Sequence, residues 1–181
     1  MFNKLGHEID NILSKSLAVD FDQNLLVSKL NKICNEITMV SNKTIDYGRY
    51  LAYKSDKCNI QIDIFSKEYI GEIHNHNTWG IIGIVNGNFI LSDYAKNPEK
   101  LTKIRNTYCP KGLVSFFPKT SDIHSLECLK GSQGISIHIY GKDFDMDTGM
   151  KYNHEMNSWQ KYKRGDLKEF KEIESNFQII G

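Results

Sequence analysis

The sequence predicts an all-β core, an antiparallel sandwich or barrel fronted by short helices, and three observations carry that reading. Between residues 47 and 144, β-branched and aromatic residues fall in short runs of strand length. Turn signals such as Lys54-Ser55-Asp56-Lys57 and Lys130-Gly131-Ser132 bound those runs, with almost no helical periodicity between them. Only the first forty residues place apolar side chains at helical spacing. The 181 residues are enough to bury one core, so a single domain is expected: helices over 1–40, barrel over 45–145, and a C-terminal extension over 146–181.

In order along the chain, Phe2, Leu5, Ile9, Ile12 and Leu13 mark a first amphipathic helix. Leu26, Leu30, Ile33 and Ile37 mark a second, with Asp22 as its N-cap. Strands follow over 50–53, 60–65, 80–85, 89–94, 114–117 and 134–140. Asn86-Gly87 reads as a two-residue hairpin turn between the third and fourth of them. Beyond Asp143 the chain is polar, with Tyr152, Trp159, Tyr162 and Phe170 set among Lys and Glu. That tail reads as loops plus a short helix over 166–174 covering the barrel.

Composition removes several function classes. Twenty-three basic and 22 acidic residues leave a net charge of +1, which gives no electrostatic case for nucleic acid or an anionic membrane. No stretch approaches the apolar length of a membrane span, and the N-terminus has no apolar signal-peptide core. Cys34, Cys58, Cys109 and Cys128 form no paired-cysteine zinc motif. Buried reduced thiols and a cytoplasmic location are the expectation.

Two polar constellations stand out. His74 and His76 are the only histidines spaced two apart, and on a strand such a pair points to one face. They precede the apolar run 79–85, where an imidazole must be hydrogen-bonded or bound to a metal. His124, leading into a later strand after a turn, is the best third ligand. His7 and His154 lie in polar context and receive no role. Ser136, His138 and Tyr140 alternate with isoleucines on one strand, which puts a hydroxyl, an imidazole and a phenol in register as a relay.

With these residues assembled, the chain resembles the thiol dioxygenases of the cupin superfamily, the group of cysteine dioxygenase and 3-mercaptopropionate dioxygenase. The resemblance rests on Tyr47-Gly48-Arg49-Tyr50-Leu51, on 74–80 (His-Asn-His-Asn-Thr-Trp-Gly), on Asp122-Ile123-His124-Ser125 and on 136–141 (Ser-Ile-His-Ile-Tyr-Gly). It implies a double-stranded β-helix, or jelly-roll barrel. His74, His76 and His124 would hold a mononuclear Fe(II), and Tyr140, supported by His138 and Ser136, would stand near substrate. Arg49 would clamp a substrate carboxylate with Tyr47 in support. The implied reaction oxidises a small thiol carboxylate to its sulfinate with O2, in a monomer or homodimer with no nucleic-acid or membrane partner.

Some residues depart from the family pattern. Gly80 and Ile81 stand where most cupins place a carboxylate, and where the mammalian-type enzymes place a cysteine that crosslinks to the tyrosine. Asn75 replaces the common aspartate between the two histidines. Arg49 resembles the cysteine-specific branch, whereas Thr78-Trp79-Gly80 and Tyr140-Gly141 resemble the mercaptopropionate branch, so both substrates stay open. The other readings are a metal-binding cupin that only binds or regulates, and one using Zn, Ni or Mn for different chemistry.

Overall fold

The computed structural model describes residues 2–15, 23–36, 38–39, 47–65, 69–96, 101–120, 123–131, 133–166, 170–172 and 179–180. Two helices come first, α1 (Phe2–Lys15) and α2 (Gln23–Glu36). The strands follow as β1 (Thr38–Met39), β2 (Gly48–Lys54), β3 (Asn59–Phe65), β4 (Gly80–Asn86), β5 (Phe89–Lys96) and β6 (Leu101–Cys109). Next come β7 (Val114–Phe117), β8 (His124–Cys128), β9 (Gly134–Tyr140), β10 (Thr148–Asn153), β11 (Ser158–Lys163), β12 (Phe170–Glu172) and β13 (Ile179–Ile180). Asp22 and Ile37, read as an N-cap and a helical apolar position, lie outside the described residues.

One sheet runs β12-β2-β3-β9-β4-β7 and a second runs β6-β5-β8. The segment through Ile70 and His74 bridges the free edge of β8, and His74 bridges onward to Lys151 of β10. Between β3 and β4, both in the first sheet, the bridging segment visits the second, and from β4 to β9 the chain crosses between sheets at each step apart from the β5–β6 hairpin. This strand order is a jelly roll, the double-stranded β-helix of cupins.

Alternation along β3 and β9 decides how the sheet is used. Ile60, Ile62 and Ile64 of β3 and Ile135, Ile137 and Ile139 of β9 join the cluster that includes Ile9, Leu26, Leu30 and Cys34 of the helices. The isoleucines therefore face outward under α1 and α2, and the helices close that face from water. The alternate residues of both strands, polar on nearly every one, are buried as well. Inside the barrel a second cluster gathers Ile82, Ile84, Phe89, Leu91, Phe117 and Leu126 beside Tyr140. Gly83 lets α2 come close, because a Cβ there would strike Cys34 and Leu30. Asp10 fastens α1 by accepting from the Tyr53 hydroxyl at 2.6 Å and the Ser55 hydroxyl at 2.7 Å. All four cysteines are buried and free.

Three elements differ from the sequence reading. Gly87 supplies a left-handed turn (φ 84°), yet β4 and β5 do not pair. β7 and β9 already flank β4, while β6 and β8 flank β5, so the turn is a corner between sheets. β6 escapes a hydrophobic-pattern reading because most of it is exposed at the sheet edge. The tail holds the β10–β11 hairpin, a 3-10 turn over Arg164–Asp166 and the strand β12 parallel to β2, so the described part of the expected helix over 166–174 is turn and strand. Asn157 takes the left-handed conformation (φ 48°) in the hairpin turn. Among the described residues no helix is long and apolar enough to cross a membrane.

Candidate metal centre

His74 and His124 exchange backbone hydrogen bonds in both directions, at 3.0 and 2.9 Å. They form a directly opposed antiparallel bridge, so the backbone pairing of this segment with β8 brings two imidazoles together, although residues 74–76, spaced as on a strand, form no strand of their own. His76, two residues on, joins the same face. The ligand nitrogens of the three lie within 4.8 Å of one another, and Nε2 of His74 is 3.0 Å from Nε2 of His76.

Burial holds both His74 and His76 well below the usual imidazole range, reinforced for His74 by His124 and for His76 by the Arg164 guanidinium. Both are therefore neutral. Nδ1–H of His74 donates to the Glu72 carbonyl at 2.8 Å, which leaves its Nε2 lone pair facing the cluster. Neutral nitrogen donors converging on one point fit a divalent transition metal, held by His74, His76 and His124.

Arg164, which the sequence reading missed, is buried against this cluster. It donates from Nη1 to Gln61 Oε1 at 2.6 Å, and its Nη2 lies 2.5 Å from His76 Nδ1. Its Nε lies 2.9 Å from the buried Asp147 carboxylate, and its guanidinium stacks 4.6 Å from the centre of the Tyr140 ring. The 3-10 turn following β11 delivers it, and the hairpin is seated firmly. Asn75 N–H donates to Met150 O at 2.9 Å, Met150 N–H returns a bond to Asn75 Oδ1 at 2.8 Å, and the Tyr162 hydroxyl donates to Asn75 O at 2.6 Å. Asn75 thus ties the segment carrying His74 and His76 to the tail.

The relay is present as spaced in the sequence. Ser136 Oγ lies 2.7 Å from His138 Nε2, and His138 Nδ1 lies 3.0 Å from the Tyr140 hydroxyl. Burial pushes His138 down to about 4, against the pull of the Asp63 carboxylate. Burial likewise pushes the Tyr140 phenol above its usual range. The Tyr140 ring centre stands 4.1 Å from that of His76, so the relay ends at the histidine cluster. Gly80 pairs directly across from Tyr140, and the Phe117 ring fills the space where a side chain at position 80 would project.

A cavity of about 230 Å³ opens over His74. Arg49, Lys151 and Arg164 line it against the single acid Glu72, and the Tyr69 and Tyr162 phenols complete its wall. The lining itself carries three cations and one acid, with Asp63 behind Arg49 and Asp147 behind Arg164 offsetting part of that charge, and its guanidinium groups are donors suited to a small anion. Arg49 therefore shares the cavity with a histidine of the cluster. Tyr47 is 57% exposed and is not among the lining residues.

No protein-family model matches the chain, and no curated protein matches it. Similar solved structures include an RmlC-like cupin from Shewanella frigidimarina, at 18% identity over 60% of this chain and 86% of that one (TM-score 0.42). A DMSP lyase from Ruegeria pomeroyi matches at 13% identity over 61% of this chain and 57% of its own (TM-score 0.42). An oxalate oxidase in complex with the substrate analogue glycolate matches at 11% identity over 59% and 57% (TM-score 0.44). The chain spans 38% of a further DMSP lyase chain. The fold assignment rests on the strand order.

Proposed function

We propose that this chain is an Fe(II)-dependent thiol dioxygenase that converts a small thiol carboxylate, RSH, and O2 into the sulfinic acid RSO2H. One observation carries the reading: three imidazoles, His76 and His124 buried and His74 half-buried, border a small cavity lined by Arg49, Lys151 and Arg164. Iron(II) held by three neutral nitrogens keeps its full charge and open positions, and so supplies a site for a thiolate and O2. Arg49 orients the substrate by its carboxylate, with Lys151 and Arg164 adding positive potential. Tyr140 is held by the relay, and the His138 tautomer with hydrogen on Nδ1 leaves the phenol its own O–H to donate toward substrate. The apolar interior around Phe117 and Leu126 keeps water from the inner side of the centre.

The test is oxygen uptake by iron-loaded protein offered cysteine, 3-mercaptopropionate, cysteamine and mercaptosuccinate in parallel, with the sulfinate identified by mass. At least one thiol carboxylate should be consumed mole for mole with O2, and cysteamine, lacking the carboxylate, should lag. His74→Ala should lose its iron on metal analysis. No uptake with any thiol, or a full zinc complement without uptake, would leave the metal-binding module as the reading. Arg49→Ala should raise KM for the carboxylate thiol by about tenfold or more; an unchanged KM removes Arg49 from the site.

A further inference from the structure

Asp63 lies in the middle of β3, a strand whose every residue is buried. The register sets it opposite Arg49 on β2 and opposite Ser136 on β9. Its Oδ2 is 3.5 Å from Arg49 Nε and 3.7 Å from His138 Nε2, while its Oδ1 has no hydrogen-bond partner among the described residues. A carboxylate so placed is costly unless nearby positive charge compensates it. Arg49 is the permanent cation facing it, and Arg49 is also a cavity-lining residue.

We infer that Asp63 is the positioning residue of the anion-binding arginine: from inside the sheet it holds Arg49 at Nε, fixing the direction in which the guanidinium faces the cavity. The geometry makes this more than neighbourhood. An Arg held at Nε loses the freedom of its long side chain, and rigid placement is what converts a guanidinium into an oriented clamp. The same carboxylate faces the relay imidazole, so one side chain sets the spacing between the clamp and the Ser136–His138–Tyr140 chain. The inference rests on the reading of the cavity as a carboxylate site.

The sign of one measurement separates positioning from simple charge balance. Removing a negative charge beside a cationic cavity strengthens anion binding if Asp63 only offsets charge, and weakens it if Asp63 positions Arg49. Anaerobic calorimetric titration of the iron-loaded protein with 3-mercaptopropionate reads this directly. Asp63→Leu should weaken binding about tenfold, and in an Arg49→Ala background it should add nothing further. Equal or tighter binding by Asp63→Leu, or full additivity with Arg49→Ala, overturns the inference. Should Asp63→Leu fail to fold, Arg49→Lys carries the test, since it keeps the charge and removes the Nε contact. It must weaken binding similarly, and unchanged affinity overturns the inference. Coupled binding without oxygen uptake would sink the dioxygenase reading and leave the role of Asp63 standing.

Discussion

His138 shows how a single side chain links pH to the fold. It is buried between Ser136 and Tyr140, and its neutral form is held down to a pKa of about 4. The unfolded chain takes up that proton near pH 6.5, whereas the folded state refuses it until about pH 4. The contribution is therefore full above pH 6.5 and is lost as the pH falls toward 4, by about 3 kcal/mol in all. Chemical denaturation at a series of pH values should show the advantage of the wild type over His138→Gln shrinking across that window; a constant difference would contradict a neutral buried imidazole. The relay and the histidine pair were legible because a period of two is short-range information. Asn59, Gln61 and Asp63 carry the same alternation in β3, yet the intervening isoleucines make 60–65 read as a plain apolar run. Arg164 and Asp147 were not legible at all. They reach His76 only through the docking of the tail, which no local spacing encodes.

Among the elements, the β10–β11 hairpin matters most to the site. It brings Lys151, Tyr162 and Arg164 to the cavity, and its seat is a close backbone approach at Gly149. A Cβ at that position would strike the Asn75 carbonyl, which belongs to the segment of His74 and His76. Gly149→Ala should therefore push the hairpin off its seat, lowering the melting temperature and weakening metal binding together, at a stability cost of about 1–3 kcal/mol. Melting curves with and without added metal check this, and a loss of stability without loss of metal affinity would separate the hairpin from the centre. The strands from β2 to β9 were largely readable, because those buried on both faces carry apolar residues in short runs. β6 was not, since its residues face water at an edge, and the tail was not, since Tyr162 meets Asn75 only through the docking of the hairpin.

For the whole molecule, the site and the stability are one system. The three imidazoles are gathered by the folded barrel, so a metal binding there favours the folded state by mass action. At a free metal concentration one hundred times Kd the gain is about 2.7 kcal/mol, and the melting temperature should climb with metal concentration in the wild type and stay flat in His124→Ala. An equal rise in the variant would place the metal elsewhere. The opposed backbone bonds of His74 and His124 carry one more consequence. His124 follows His74 by 50 positions, and β4 to β7 must be laid down before the two can meet. A chain growing from its N-terminus offers two imidazoles early and the third only when β8 pairs. A metal held by all three histidines would therefore be captured late and would slow the unfolding of the finished barrel more than it speeds its formation.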